Sequence, residues 1–590
     1  MSGKTDKSDN TLSRSSFVEA LRRQYHFRNP LITLALVALL CSNFILLGID
    51  KVNEHTNPEA YDTTAYLGEA NFINTNGGVR NFINLSFAGK YKQANQHPLY
   101  IVMLSTFASR DIAFFVHAKL ASAIIGLVLL LSLFLLTRRL YGGLCASLAA
   151  FGLMLNPVFL KWTTLVACES LLMVFSLLCM YWIVRGFECN KAWAYAGIAG
   201  GLAYLTKGTG LFLVPGFALS CVWVYKTKVL RNKYFWSFFA LFIVAGSPLL
   251  IRNVIVYGNP LYNINLEKVV VGKRSTYMFM DPTEAGGGTR KVYDGEKGSE
   301  GKKVPQSDGW IEGQLLQRVV WSLAREGGVV LGSLNVKPME SLLWSWTGRI
   351  AFGAVLFAFF VAGLRCEGSR GGRLYIVITL ITFVVCLSLF NPLDRYLLPI
   401  FPVMWMYIGV GVVRGLYSIG GSVVGNGRRT LISAQHAVVA LLCVLLGYLF
   451  LTQSLGDPAR SVEYSEGRRE LLKWMRLNIA GETIYTEGPN LNWQLEKGKW
   501  ILGPNEPRED MEQFKVFVRR LNVAYVIFDW YSLTVSRYRG HVDRRKLIEG
   551  YVELDPARGL VPRREIDGWQ LWYKDRRTPV KFLVYKVGRI

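Results

Sequence analysis

The chain has 590 residues; 51% are hydrophobic, 13% aromatic and only 18% charged. Soluble domains carry about 25% charged residues. Here the apolar residues gather in long blocks almost free of charge, which excludes a disordered chain and an ordinary cytosolic enzyme and predicts a polytopic α-helical membrane protein. Lys and Arg number 67 against 42 Asp and Glu, a net charge of +25; in a membrane chain this points to anionic lipid, as surface or as substrate, and not to nucleic acid.

Residues 1–30 are polar and basic and read as a cytoplasmic tail; they are too long and too interrupted for a signal-peptide leader. A first span follows at 31–49, long enough to cross a ~30 Å hydrocarbon core at ~1.5 Å per residue. Further spans are expected at 116–137, 144–160, 169–185, 192–206, 209–225, 235–256, 342–364, 374–391, 396–413 and 433–452, about eleven in all. Alternate short loops carry Arg138 and Arg139, Arg185 and Lys191, Lys226, Lys228, Arg231 and Lys233, Arg365, Arg370 and Arg373, then Arg414, Arg428 and Arg429. By the positive-inside rule these loops lie with the N-terminus in the cytoplasm. The opposite, outer face receives the loops 50–115 and 257–341 and everything after the last span. The domain division is therefore 1–30, 31–455 and 456–590. In the last of these, strand-like runs at 483–486, 524–528, 570–573 and 582–587 alternate with helix-like runs at 466–478 and 508–521, the pattern of a soluble α/β domain. The nine cysteines end at Cys443, inside an apolar block, so no disulfide framework is expected. The six histidines form neither HExxH nor His-x-His, and no metal ligands are assigned.

Polar residues at the outer span ends are where chemistry is expected. In Tyr61-Asp62-Thr63-Thr64-Ala65-Tyr66-Leu67-Gly68-Glu69-Ala70, Asp62, Tyr66, Glu69 and Ala70 fall on one face of a helix. Asp62 has the chemistry of a general base; the plain alternative is a helix N-cap. His97-Pro98-Leu99-Tyr100 opens an apolar stretch, 101–107, too short to span and read as an interfacial helix with Pro98 at its start. His97 suits a contact to phosphate or acceptor, against an exposed histidine at a helix start. Glu169 is the sole carboxylate between Asp111 and Arg185 and opens a span, a position that suggests function as readily as snorkelling. Lys207, at a glycine turn on the face where cations are disfavoured, suits an anionic group such as phosphate, and Arg395 in Asn391-Pro392-Leu393-Asp394-Arg395-Tyr396 follows the same logic. For both the alternative is a side chain reaching for the interface. Arg252-Asn253 ends another span before Tyr257-Gly258-Asn259-Pro260.

Taken in order, these segments resemble the GT-C class of polytopic glycosyltransferases, in particular the superfamily of dolichyl-phosphate-mannose protein mannosyltransferases and lipid A aminoarabinose transferases. The segments are Asp62 with Tyr66, His97-Pro98-Leu99-Tyr100, Glu169, Gly201-Leu202-Ala203-Tyr204-Leu205-Thr206-Lys207-Gly208, Arg252-Asn253 with Gly258-Asn259-Pro260, and Arg395-Tyr396-Leu397-Leu398-Pro399. They cover about residues 31–410. The resemblance implies an inverting glycosyltransferase of the inner (plasma) membrane of a bacterium, using a polyprenyl-phosphate sugar on the outer, periplasmic or lumenal, face. Its acceptor is a glycan, lipid or protein. It further implies Asp62 as catalytic base, Tyr66, His97 and Glu169 positioning acceptor or donor, and Lys207 and Arg395 binding the lipid phosphate. Many members carry two adjacent acidic residues at the catalytic position, whereas Thr63 follows Asp62 here, which leaves the acceptor and the help of a divalent metal open. The competing reading is a transporter or lipid flippase; against it, the sequence has no internal repeat. A third is an assembly subunit anchored by its spans. The position of Asp62, Glu169, Lys207 and Arg395 discriminates: gathered in one place they speak for a transferase, dispersed for an anchor.

Overall fold

The computed structural model describes residues 30–54, 62–91, 97–111, 113–262, 278–280, 346–367, 369–388 and 394–423, and in the C-terminal part 475–477, 482–487, 499–502, 522–529, 560–573 and 576–587. The helices are α1 (Pro30–Glu54), α2 (Thr63–Thr75), α3 (Gly78–Phe87), α4 (Pro98–Ser105), α5 (Ala113–Tyr141), α6 (Gly143–Met154), α7 (Pro157–Thr164), α8 (Glu169–Gly186), α9 (Ala192–Thr206), α10 (Leu213–Tyr225), α11 (Lys233–Tyr257), α12 (Trp346–Leu364), α13 (Arg370–Ser388) and α14 (Phe401–Val423). Short 3₁₀ turns precede α10 (Gly208–Phe212), α11 (Lys226–Arg231) and α14 (Asp394–Ile400).

The expected spans up to 396–413 coincide with helices; 433–452 lies outside the described residues. Among the described residues five helices are long and apolar enough to cross a membrane, or six if a bent pair is one span. That pair corrects the sequence reading of 144–160 as one span: α6 and α7 meet at 66°. The break has a local cause. Pro157 has no N–H and disfavours helical backbone at the residue before it. Asn156 is accordingly extended, and its side chain accepts from the Phe159 amide at 2.9 Å, starting a new helix.

The apolar blocks become one continuous core because the helices present small and large residues to each other. Leu133, Phe151, Met173, Trp193, Phe217 and Tyr407 are among its buried members. At one contact α12 and α14 meet through glycine: a Cβ at Gly363 would overlap the Tyr407 carbonyl, and one at Gly411 the Phe359 carbonyl. Removing both side chains lets two backbones touch, the usual route to tight helix pairs in lipid. A second core lies under α2, α3 and α4, built from Tyr66, Leu67, Phe82, Tyr91, Tyr100 and Phe114. It seats these short helices on one end of the bundle.

The C-terminal strands are β2 (Thr483–Glu487), β3 (Lys499–Leu502), β4 (Tyr525–Asp529), β5 (Leu560–Tyr573) and β6 (Arg576–Val587). They form a six-stranded sheet of order β1-β3-β2-β4-β6-β5, whose first strand, β1 (Met278–Met280), comes from the 257–341 loop. β2 runs parallel to β3 and β4, and β6 antiparallel to β4 and β5. The four expected strand runs each lie within or overlap one of these strands. β1 and β3 were not expected. The expected helices at 466–478 and 508–521 fall mostly outside the described residues.

Candidate active site

The span-end residues singled out in the sequence as candidates converge. Asp62 stands at the N-cap position of α2, and its carbonyl accepts from the amides of Ala65 and Tyr66. Its side chain makes no cap bond. It turns instead to Arg395, whose guanidinium donates to Oδ2 at 2.8 Å across 333 positions of sequence. The N-cap alternative thus holds for the backbone of Asp62 and not for its carboxylate.

Glu169 opens α8 and is almost fully buried; Lys207 Nζ donates to its Oε1 at 2.5 Å. Lys207 is where α9 ends, with extended backbone (φ −161°, ψ 144°), so its side chain leaves the helix axis and reaches back to α8. The two ion pairs share an aromatic wall. Tyr396 lies 5.1 Å from Lys207 Nζ and 5.2 Å from the Arg395 guanidinium, which is also 5.2 Å from the Trp162 ring. Burial alone would lower the Lys207 pKa; the Glu169 carboxylate outweighs it and the net shift is upward. The ammonium is therefore fully charged at neutral pH. The arrangement is an alternating row, Asp62–Arg395–Tyr396–Lys207–Glu169, with two negative and two positive charges.

Tyr66 comes one turn after Asp62 and is buried. Its hydroxyl donates to Cys168 Sγ at 3.0 Å, next to Glu169, and its ring meets Tyr100 edge-on at 5.1 Å. Burial first, then the Cys168 thiol and the Glu169 and Asp62 carboxylates, push its pKa well up, so it remains a donor.

His97 is buried, not exposed at a helix start. Its Nδ1–H donates to the Tyr204 carbonyl at 2.6 Å, tying the start of α4 to α9. Burial lowers its pKa to about 4, aided by the positive charges of Arg252 and Lys207 and opposed by the Tyr204 carbonyl. A neutral imidazole here positions α4; it brings no positive charge to a phosphate.

Beside this row lies a second polar group, built from residues that are not among the expected site residues. The Tyr91 hydroxyl donates to Glu69 Oε2 at 2.8 Å, and Arg252 sits over the rings of Tyr91 and Tyr257 at 6.0 and 5.8 Å. Glu69 is where the helical face begun at Asp62 arrives two turns later, so the i, i+7 spacing was its signal. Tyr396 and Trp162 gave only the weaker signal of an aromatic beside a cation. Among the described residues no group of three or more His, Cys, Asp or Glu is placed to hold a metal ion, and Asp62 and Glu169 each face a cation. The described residues of the site do not form a divalent-metal cradle.

Chemically, an anion entering the row meets cations that already face carboxylates. Each cation has a carboxylate contact and further N–H donors, so an incoming phosphate can share the cation or displace the acid.

The stretch that carries α8, the Lys207 turn and most of α11 can be compared with known proteins. Residues 111–251 match the family model of dolichyl-phosphate-mannose-protein mannosyltransferase. The resemblance expected from the ordered motifs is borne out there. The matched stretch contains Glu169 and Lys207; Asp62, Tyr66, His97 and Arg395 lie outside it. No curated protein sequence matches the chain. Among solved structures, ArnT from Cupriavidus metallidurans bound to undecaprenyl phosphate is similar at 14% identity, covering 94% of this chain and 97% of its own, with a TM-score of 0.47. The Archaeoglobus fulgidus oligosaccharyltransferase tethered to an acceptor peptide is similar at 15% identity over 84% and 69% of the two chains (TM-score 0.48). The same organism's AglB, with an inhibitory peptide and a dolichol-phosphate, is similar at 14% identity over 83% and 69% (TM-score 0.45).

Proposed function

We propose that the chain is a membrane glycosyltransferase that moves a sugar from a polyprenyl-phosphate donor to an acceptor on the outer face of a bacterial inner membrane, inverting the anomeric centre. The observation that carries this reading is the convergence of Asp62 and Arg395, remote in sequence, beside Glu169 and Lys207. A bundle serving only as an anchor has no need to gather them. The mannosyltransferase match over 111–251 supports the same reaction class.

The ion pairs suggest the order of events. A donor phosphate competes with Asp62 for Arg395 and with Glu169 for Lys207. When Arg395 passes to the phosphate, the Asp62 carboxylate is released to take a proton. The acceptor oxygen or nitrogen attacks the anomeric carbon as its proton passes to Asp62. The bond from that carbon to the phosphate oxygen breaks, and the electron pair leaves with the phosphate, whose added charge Arg395 and Lys207 balance. Charge stabilisation by groups already in place is usually the largest catalytic contribution. In this reading the donor binds before the acceptor is activated, so the base stays paired with Arg395 until a donor arrives.

The N-terminus and the basic loops are assigned to the cytoplasm, and 456–590 to the outer side as an α/β domain whose sheet also takes in β1 from the 257–341 loop. Reporter fusions after Asp457 that are active only in the cytoplasm refute that topology. The activity is tested by incubating the purified protein with labelled polyprenyl-phosphate sugars and membrane fractions. Transfer of label, lost in Asp62→Asn, is the expected result. Donor binding without transfer to any acceptor fraction removes the enzyme reading.

A further inference from the structure

At the end of the bundle away from the candidate site, α10 and α11 are joined by the turn Lys226–Arg231. The distance along α11 from Lys233 to Arg252 is roughly 30 Å at 1.5 Å per residue, about the thickness of a hydrocarbon core. Between Trp223 and Trp236 the sequence has Lys226, Lys228, Arg231 and Lys233 and no carboxylate. All four cations are exposed, and among the described residues none of them has an acidic partner. Two other basic sites differ: Arg185 is paired with Glu188, and the Arg414 guanidinium donates to the Ala362 carbonyl.

The surroundings of the four cations are those of a membrane interface. Trp223 and Trp236 are 58% and 52% exposed on the two sides of the turn. The Trp236 indole N–H donates to the Leu230 carbonyl at 2.8 Å, which ties the ring to the turn, and Lys226 Nζ lies 5.2 Å from the Trp223 ring. Indoles favour the headgroup level of a bilayer. Further along the same helices Leu219, Val222, Ile243 and Val244 are exposed, an apolar flank that suits acyl chains. Fixed aromatics, an apolar flank and uncompensated positive charge thus occur together, in the order of a phospholipid read from headgroup to tail.

We propose that this turn is a binding site for an anionic phospholipid of the adjacent leaflet. Lys226, Lys228, Arg231 and Lys233 hold the headgroup, and the acyl chains lie along Leu219, Val222, Ile243 and Val244. The site is separate from the transferase chemistry and stands whether or not that reading does.

Native mass spectrometry of the full-length purified protein, titrated with phosphatidylglycerol and with phosphatidylcholine, tests it. The wild type should retain phosphatidylglycerol in preference, by roughly fivefold for each cation that engages the headgroup. Two double variants, Lys226→Gln/Lys228→Gln and Arg231→Gln/Lys233→Gln, should each lose at least about fivefold of that preference. Arg138→Gln/Arg139→Gln, at a different basic turn, should keep it. Glycerol phosphate in solution should not displace the lipid, because it lacks the chains. No preference in the wild type, or preference undiminished in both double variants, overturns the site. An equal loss in Arg138→Gln/Arg139→Gln shows diffuse surface charge and overturns it too; displacement by glycerol phosphate assigns the turn to a soluble anion and rejects the lipid.

Discussion

Two carboxylates are buried at opposite ends of α8, and they are satisfied in opposite ways. Glu169, at its start, has a cation, Lys207. Glu367, packed near its far end, accepts from the hydroxyls of Tyr141 and Tyr407, the latter at 2.9 Å, and its other oxygen takes the Ser369 amide at 3.3 Å. Fixed neutral donors satisfy an acid where it stands and leave nothing for a ligand. A cation opposite an acid is a partnership that a better anion can dissolve. The difference separates a carboxylate that holds helices together from one that can take part in an exchange.

The largest effect expected at the exchanging end is in Asp62→Asn. Transfer should fall by roughly 10²–10⁴-fold, the range for a lost general base, while the protein stays folded. The same variant frees Arg395, so binding of polyprenyl phosphate, measured by equilibrium titration, should tighten severalfold. Near-normal turnover removes the base; unchanged or weaker phosphate binding removes the exchange.

At the fixed end Glu367→Ala strands two buried tyrosine hydroxyls. Unfolding should become easier by about 3 kcal/mol, at ~1–3 kcal/mol per unsatisfied group, and Glu367→Gln, which still accepts, should cost less. Thermal unfolding in detergent reads both. Neither change should alter phosphate affinity, and if Glu367→Gln does, the contrast between the two ends fails.

Next in size are the cations. Lys207→Ala and Arg395→Ala should each weaken donor binding by roughly 1.5–3 kcal/mol, the scale of a charged hydrogen bond. The double variant should lose less than the sum, because both act on one phosphate. Additive losses place them at separate sites, and full donor affinity in both single variants leaves them as structural ion pairs.

Of comparable size, but seen only in acid, is the pH response of His97. Its pKa is lowered from 6.5 to about 4, so the folded chain binds fewer protons there than the unfolded one. The stability it preserves is complete above about pH 6.5 and lost as pH falls toward 4, about 3 kcal/mol for a shift of that size. His97→Gln should flatten that part of a stability-versus-pH curve, and an unchanged slope assigns the acid response to other groups.

The helices were legible because a lipid-facing segment has to be apolar along its length, a demand that leaves a mark on every residue of 116–137 or 235–256. The helical face carrying Tyr66, Glu69 and Ala70 was legible from its spacing, and all three are buried in α2. The short helix opened by Pro98 was legible from its length. The partners of the charges were not. That Arg395 meets Asp62, and Lys207 meets Glu169, depends on how distant span ends come together, which nothing local in the sequence encodes. The cations were expected to face a phosphate directly; their resting partners are carboxylates. The bend at Asn156-Pro157 was marked by the proline but hidden by the uniform hydrophobicity around it. β1 and β3 are three and four residues long, too short for alternation to stand out.

The glycine contact between α12 and α14 has a consequence at a distance. Gly363 lies just before the turn that carries Glu367, and Gly411 lies on the helix that begins where the Arg395 turn ends. With backbone against backbone there is no side chain to yield, so a single methyl group has to tilt one helix against the other. α14 would act as a lever pivoting at Gly411, and about ten residues away, roughly 15 Å along the helix, its outer end would carry Arg395 away from Asp62. The tolerance of the site is set inside the bundle, by two positions that touch no charge at all.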